Sequence, residues 1–589
     1  MCGICGQLSF SDEIFDPTLW QRLLKAMTRR GPDDVGLTHD NRFVAGVRRL
    51  AIQDVSAAGK LPIQTPDGWI TLAYNGELYN CDPLRRSLEG VGFSFRSSGD
   101  SEIVLRAIQA WGREALPRFN GMFALACYNR SNGKMLLARD HVGIKPLYIM
   151  IDIRGVVFAS QFDQIMMHPW ALGREVDSEA LEMYFRLGHI PAPRAYLKGT
   201  FMMKPGEWIE VDLSGKIERG SYFNFSEGPE AGAEPLPTLE ELESVIVDAV
   251  HRQSVGDVPV GCFLSGGIDS PLITSCFGAT NPLGASQTET FSVGIEGPDT
   301  NEINEAAAYA SAMNIKHHWQ MLTATNCLDS VEEMIDATHE PLADEGIIPS
   351  LLVSKLARQR VKVALSGEGG DELFWGYIHR LSAVLSPAMS ANDASQYYQQ
   401  FFCRCRKDLF CKLFPLTSWW PAGESGFNFV KRANVDLGES LRQCEMNMYL
   451  PFILLKTDRA SMHHSLEVRV PLLDRKVIEI ACKYSMQHCL DIDAKIGKIP
   501  LRTILRRRIN FTTPGKRGFS PPAGQWLRGP LREQLRCCLT SLRGIGPIEV
   551  NLGLLKRIEE DHYFGRDDHT GILWRILCLE RWISKVRAL

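Results

Sequence analysis

Cys2 stands directly after Met1, and a residue this small at position 2 permits removal of the initiator methionine, leaving the cysteine with a free α-amine. Nucleophile and base then share one residue. An α-amine titrates near 7.7–8.0 and a thiol near about 8.5, so the amine can take the thiol proton as sulfur attacks an amide carbon. Taken alone, a cysteine at position 2 is more often incidental. A second stretch, Leu264-Ser-Gly-Gly-Ile-Asp-Ser270, joins the apolar run 258–264 to the helical run 271–277. It lacks the lysine of a Walker A loop. Gly266 and Gly267 let the backbone approach phosphate oxygens, Ser265 and Ser270 supply hydroxyls, and the following helix N-terminus attracts negative charge. Such a loop grips a pyrophosphate. A tight strand-to-helix turn would explain the glycines but not the whole string.

Two kinds of architecture must carry these groups. Residues 2–222 show short apolar stretches (43–47, 70–74, 122–128, 134–138) separated by Gly, Asn and Asp turns, predicting a β-rich fold with few helices. The stretch 226–237, rich in Gly, Pro, Glu and Ala, predicts a linker. The expected division is therefore 1–222, a linker over 223–237, and 238–589. After the linker come a helix over 238–254, a strand over 258–264, a strand over 290–295 with a helix over 302–313, and a strand over 361–365 followed by Ser366-Gly-Glu-Gly-Gly-Asp-Glu372. Strands alternating with helices predict a doubly wound parallel sheet that binds ligands at the carboxyl ends of its strands. Beyond residue 381 the pattern is mostly helical.

At 589 residues the chain exceeds one ordinary hydrophobic core, and its 45% apolar and 23% charged residues are those of a globular protein. A net charge of −4 without a basic block argues against nucleic acid as a partner. Sixteen cysteines are too sparse for a disulfide scaffold, and no leader pattern precedes a cleavage site, so the cytoplasm is the expected compartment. The longest apolar runs, such as 449–455, fall short of the roughly 20 residues that cross a bilayer, and no membrane span is expected. Cys2 and Cys5 form a C-x-x-C without a second Cys or His pair at zinc spacing, so Cys5 is expected in the core. Cys403, Cys405 and Cys411 leave a structural zinc open, with small buried hydrophobes favoured.

Met1-Cys-Gly-Ile-Cys-Gly6, Arg30-Gly-Pro-Asp33, Arg49-Leu-Ala-Ile52, Tyr74-Asn-Gly-Glu-Leu-Tyr-Asn80 and Ser98-Gly-Asp-Ser-Glu102 occur in this order and resemble the glutaminase domain of class II amidotransferases. That resemblance implies Asn75 and Gly76 as the oxyanion hole, Arg49 as the fork for glutamine's carboxylate, and Glu77 and Asp100 as holders of its ammonium. The Leu264–Ser270 string resembles the PP-loop of ATP pyrophosphatases, which cleave ATP to AMP and pyrophosphate. Asp269, with Asp371 from Leu365-Ser-Gly-Glu-Gly-Gly-Asp-Glu-Leu-Phe374, is then assigned to Mg²⁺. Leu264, Val293, Ser366 and Gly367 would contact the adenylate, Glu368 would support acyl-adenylate formation, and Lys498 would stabilise charge during adenylation. Lys456-Thr-Asp-Arg459, Ser465-Leu-Glu-Val-Arg-Val-Pro-Leu-Leu-Asp474, Lys516-Arg-Gly-Phe-Ser520 and Pro522-Ala-Gly-Gln-Trp526 extend a resemblance to glutamine-hydrolysing asparagine synthetases over nearly the whole chain. It implies α/β and α+β architecture: an N-terminal-nucleophile αββα sandwich, then a doubly wound parallel sheet with a helical C-terminal part.

The implied reaction hydrolyses glutamine, adenylates aspartate with ATP, and lets ammonia, carried through an internal channel, displace AMP to give asparagine. Two stretches depart from the family. Phe158-Ala-Ser-Gln161 has Gln where Glu is common, and Pro341-Leu-Ala-Asp-Glu-Gly-Ile-Ile-Pro349 differs around the acceptor pocket. Glutaminase and ATP residues would be the same for other acceptors, so a surface-polysaccharide sugar uronate, a cell-wall amino acid or a peptide carboxylate stands as the alternative to aspartate. A non-catalytic binding module is a further alternative, opposed by the intact Cys2, Asn75, Asp269, Glu368 and Lys498. A homodimer is the assembly left open.

Overall fold

The computed structural model describes residues 2–13, 15–225, 235–281, 284–296, 302–323, 327–384, 397–398, 401–403, 407–415, 437–513, 521–541 and 549–586. The string 516–520 and Cys405 lie outside them, as does most of the expected linker.

Two six-stranded antiparallel sheets form the N-terminal part. In the first, β1 (Cys2–Ser9), β2 (Asp34–His39), β3 (Phe43–Arg49), β8 (Tyr148–Asp152), β9 (Gly155–Ala159) and β10 (Thr200–Met202) run in the order β10-β8-β9-β1-β3-β2. In the second, β4 (Ile63–Gln64), β5 (Ile70–Leu78), β6 (Gly121–Asn129), β7 (Lys134–Arg139), β11 (Glu207–Asp212) and β12 (Ile217–Ser221) run in the order β12-β11-β7-β6-β5-β4. Strands β1 and β5 are buried along their whole length because both of their faces are covered. The helices Cys81–Glu89 and Asp100–Trp111 lie on the second sheet, and Pro17–Ala26 and Phe162–Met167 on the first, completing the αββα layering. Side chains three apart on a strand point to opposite faces, so Cys2 and Cys5 enter different apolar clusters and do not form a pair.

A five-stranded parallel sheet forms the C-terminal part, with β13 (Val260–Phe263), β14 (Glu289–Ile295), β15 (Lys316–Leu322), β16 (Val363–Leu365) and β17 (Glu467–Arg469) in the order β15-β14-β13-β16-β17. The chain begins in the middle, winds outward through β14 and β15, and returns to place β16 on the other side of β13. Between β13 and β16 lies the topological switch point, where loops diverge and leave a crevice. The helix Leu239–Gln253, opened by a Thr238–Glu241 capping box, leads into β13. The part beyond residue 381 is mostly helical, as expected, and strand β17 is the exception within it. Three residues, two of them charged, carry too little periodicity to signal a strand, yet Glu467 and Arg469 are both fully buried. Among the described residues no helix is long and apolar enough to cross a membrane.

The two parts meet through buried charge. Arg30 donates from both terminal nitrogens to Asp458, at 2.7 and 3.1 Å, and Lys145 Nζ lies 3.4 Å from the same carboxylate. All three side chains are almost wholly buried. Although burial works against the charged carboxylate, the two cations hold Asp458 below its usual titration range. Removing one partner of such a group leaves uncompensated buried charge, so Asp458→Asn is expected to cost about 3–5 kcal/mol of stability, measured by urea unfolding at pH 7. With its folded pKa depressed, Asp458 contributes its stabilisation above its unfolded value of about 3.9 and loses it as pH falls through the lower folded value. The gap between wild type and Asp458→Asn should therefore narrow below about pH 4.

Candidate active sites

Cys2 opens the central strand of the first sheet, directly opposite Arg49 on β3. Its backbone nitrogen donates to Asn75 Oδ1 at 3.0 Å, so the terminus of the first sheet is pinned to β5 of the second. With Asn75 Oδ1 occupied in this way, its Nδ2 is buried and has no hydrogen-bond partner. An unsatisfied buried amide donor beside the nucleophile is the group an oxyanion requires. Gly76 follows, where an added Cβ would stand 2.4 Å from the Met122 carbonyl and 2.6 Å from Phe123 Cβ; only glycine lets β5 and β6 approach this closely. Burial raises the Cys2 thiol above its ordinary value, so at neutral pH it is protonated and needs a base.

The expected glutamine-binding residues converge on this strand end. Arg49 donates to the carbonyls of Gln53, at 3.1 Å, and Asp54, at 2.6 Å, fixing the loop that follows it. Glu77 accepts from Gln53 Nε2 at 2.6 Å, and Asp100 accepts from the Leu78 backbone at 2.9 Å and the Tyr74 hydroxyl at 3.1 Å. Burial pushes Asp100 up to about 6 against those hydrogen bonds, and burial with the nearby Glu467 carboxylate pushes Glu77 well above the usual carboxylate range. A buried excess of carboxylate is a site prepared for a cation.

The second site occupies the switch point. Helix Asp269–Thr280 starts two residues earlier than the sequence pattern predicts, making Asp269 its first residue. The Ser265 backbone nitrogen and hydroxyl lie 2.9 Å from the Ser270 hydroxyl, closing the loop on itself, and Gly267 N donates to Ser265 Oγ at 3.2 Å. Gly266 N donates to Glu302 at 3.2 Å. Leu264 receives a hydrogen bond from the Ser292 hydroxyl and donates to the Phe291 carbonyl at 2.9 Å, with the buried Val293 next along β14. The loop after β16 packs against this one: a Cβ on Gly367 would stand 2.7 Å from Ser270 N. Lys498 crosses from the start of helix Ile499–Ile509, and its Nζ lies 2.7 Å from Asp269 and 2.6 Å from Asp371. Glu368 accepts from the hydroxyls of Ser366 and, at 3.1 Å, Thr457.

One ammonium within reach of both carboxylates brings Asp269 and Asp371 close enough to share a divalent cation. Two carboxylates beside a phosphate-gripping loop are the donor set Mg²⁺ takes when phosphate and water complete its shell. Among the described residues, Cys403 is buried and Cys411 partly buried, neither is in a disulfide, and neither belongs to a cluster of metal ligands.

Sequence reasoning quoted Arg30, Asp458, Glu467 and Arg469 without giving them work. Arg30 Nε donates to the Cys2 carbonyl at 3.3 Å, while its other nitrogens hold Asp458, so a residue of the C-terminal part steadies the nucleophile's backbone. The signal was present, since charged residues inside otherwise apolar strings must be paired when buried. Gln161 lies with Asp163, at 3.2 Å, and His339, at 3.1 Å, and not among the residues of either site. The altered segment 341–349 borders the N-terminal part: Ala343 N donates to the Gly188 carbonyl at 2.7 Å, and Leu342 bridges to His189.

Comparison with known proteins agrees with this division of labour. Residues 1–223 match the glutamine amidotransferase domain family, and residues 241–584 match the asparagine synthase family. Asparagine synthetase [glutamine-hydrolyzing] 1 of Bacillus subtilis is 29% identical, over 99% of this chain and 96% of its own. A putative asparagine synthetase [glutamine-hydrolyzing] of Mycobacterium bovis is also 29% identical, over 94% of this chain and 92% of its own. Among solved structures, the glutamine phosphoribosylpyrophosphate amidotransferase of B. subtilis is 16% identical with a TM-score of 0.29, covering 54% of this chain and 65% of its own. Since the asparagine synthase match alone spans more than half of its length, the chain belongs to the asparagine synthase family.

Proposed function

We propose that this protein is a glutamine-dependent asparagine synthetase, with a glutaminase domain over 1–222, a linker over 223–237 and a synthetase domain over 238–589. The observation that carries the reading is Lys498 Nζ bridging Asp269 and Asp371 at the mouth of a Ser-Gly-Gly-x-Asp-Ser loop. A site that activates a carboxylate must neutralise phosphate charge from several sides; Lys498 supplies one cation, and the two carboxylates are suited to hold a divalent one.

In the proposed reaction Met1 is removed and the Cys2 amine takes the thiol proton as Sγ attacks the amide carbon of glutamine. Asn75 Nδ2 and the Gly76 N–H receive the oxyanion; Arg49 holds glutamine's carboxylate, and Glu77 and Asp100 its ammonium. Collapse of the intermediate expels ammonia, and water then hydrolyses the thioester to glutamate. At the second site the aspartate side-chain carboxylate attacks the α-phosphorus of ATP and pyrophosphate leaves. Ser265, Gly266, Gly267 and Ser270 hold the departing phosphates, Leu264, Val293, Ser366 and Gly367 hold the adenylate, and Glu368 supports acyl-adenylate formation. Lys498 offsets the charge that builds during transfer. Mg²⁺ bound by Asp269 and Asp371 would supply further neutralisation of phosphate oxygens. Ammonia then attacks the activated carbonyl and AMP departs. Leu50, Ile52, Met122, Val142, Ile144, Leu264, Ile268 and Val470 belong to one buried apolar cluster that reaches from the loop after β3 to the loop after β13, surroundings suited to neutral ammonia and not to ammonium.

A second reading, the same chemistry on a larger carboxylate, has its own support. A cavity of about 800 Å³ lined by His189, Pro191, Met446, Met448, Phe452 and Leu455 adjoins the altered segment, because His189 bridges to Leu342. Incubation with ATP, Mg²⁺ and ammonium separates the readings: aspartate should release AMP and yield asparagine. AMP release with a sugar uronate or peptide carboxylate, and none with saturating aspartate, would establish the second reading. A site built to pair a substrate's polar groups discriminates by roughly 10⁴–10⁵, so the true acceptor will be unmistakable.

Cys2→Ala should abolish glutamine-supported asparagine formation while ammonium-supported formation persists, as measured by coupled AMP release; loss of both in a folded variant would refute two separate sites. Asp371→Asn should lower AMP formation by about 10²-fold or more, the usual scale for losing one stabilising charge at a developing centre, while glutamine hydrolysis continues.

A further inference from the structure

The glutamine site described above draws on both parts of the chain. Glu77 Oε2 lies 3.5 Å from Arg469 Nη2, and Arg469 Nε donates to Glu467 Oε1 at 2.6 Å. Both Glu467 and Arg469 are on β17, more than 200 residues beyond the last strand of the N-terminal sheets. Arg469 is locked in place: its Nη1 donates to the carbonyls of Gln253, at 2.7 Å, and Val255, at 2.6 Å, at the end of helix Leu239–Gln253. Its own carbonyl accepts from Ser366 N, at 2.9 Å, the first residue of the loop that carries Glu368 and Asp371.

We propose that Arg469, oriented by Glu467, is a positioning residue for glutamine hydrolysis, supplied by the synthetase sheet, whose cation faces Glu77 and favours the carboxylate form that holds the α-ammonium of glutamine. The inference rests on the assignment of Glu77 to the glutamine ammonium. Glu77, Asp100 and Glu467 bring three buried carboxylates together, and Arg469 is the cation paired directly with Glu77 and Glu467. A carboxylate buried among others takes up a proton unless a cation opposes it, and a protonated Glu77 no longer attracts an ammonium. Arg469 opposes the protonation that burial and Glu467 favour. It does so without occupying the site, because its remaining donors are committed to backbone carbonyls. The other titratable groups within electrostatic reach of Glu77 are Cys2, Tyr74, Tyr79, Cys81 and the chain's α-amine, a second cation that also favours the charged forms of Asp100 and Glu467.

The test is the pH dependence of kcat/KM for glutamine hydrolysis in full-length Arg469→Met, Glu467→Gln and Glu77→Gln. Arg469→Met withdraws a cation, so Glu77 protonates at higher pH and the acid limb should move up by about 1–3 units, the scale for a charge within 4–6 Å. At pH 7 that appears as a rise of about tenfold or more in KM for glutamine, one pKa unit being tenfold in the ionised fraction, with kcat little affected. Glu467→Gln withdraws a like charge and should move the limb the other way. A merely structural role for β17 would lower amplitude without opposite displacements. Ammonium-supported AMP release reports whether the synthetase sheet is intact. Should Arg469→Met fail that control, the direction of the Glu467→Gln shift decides alone, and an unmoved or upward limb overturns the proposal. If Glu77→Gln raises KM but Arg469→Met leaves KM and the limb within twofold of wild type, the positioning role is wrong and the glutamine site stands. If Glu77→Gln leaves KM unchanged, the assignment of Glu77 fails and takes the inference with it.

Discussion

Charge carried into a dry interface constrains everything else in this molecule. Arg30, Lys145 and Asp458 meet where the N-terminal and C-terminal parts join, and Arg469, Glu467 and Glu77 meet at the same boundary. Ions removed from water are tolerated only when partners stand at hydrogen-bonding distance with their remaining donors satisfied. Apolar surfaces alone permit sliding; these groups permit one register. The backbone of the nucleophile is fixed by that register, because the arginine that grips the Cys2 carbonyl is itself held from the other side.

The same boundary gives the chemistry its geometry. Strand order places the loops after β13 and β16 side by side although about a hundred residues separate them in sequence. Two carboxylates and a lysine from a third segment then meet beside the loop that follows β13. The apolar cluster behind it reaches from Leu264 to Leu50 and Met122, so the crevice and the loop that follows β3 back onto one common core. Cleavage of an amide at one end and activation of a carboxylate at the other acquire a common direction.

Much of this was legible in the residues. Alternating apolar strands and Gly-Asn-Asp turns gave away the first architecture, and strand-loop-helix units gave away the second, because both rest on local periodicity. Cys2, Asn75, Glu77 and the Ser265–Ser270 loop could be named as candidates because the chemistry proposed for them is compressed into short strings. Strand β17 was hidden, since three residues show no period. The service of Arg30 to Asp458, or of Arg469 to Glu77, was hidden for a different reason: contacts across 428 or nearly 400 positions belong to tertiary packing. Asp371 and Lys498 fall between these cases, as the residue types were plain while their convergence on Asp269 needed the topology.

The late position of β17 in the chain bears on synthesis as well as catalysis. The strands of both N-terminal sheets have left the ribosome by Ser221, whereas Arg469 emerges some 250 residues later, roughly ten to fifty seconds at 5–20 residues per second. On the reading proposed above, a nascent chain therefore carries the glutaminase side chains while the cation that faces Glu77 does not yet exist. Glutamine is spared until the strand beside the nucleotide loop has been added, so that ammonia is not released before there is somewhere for it to go.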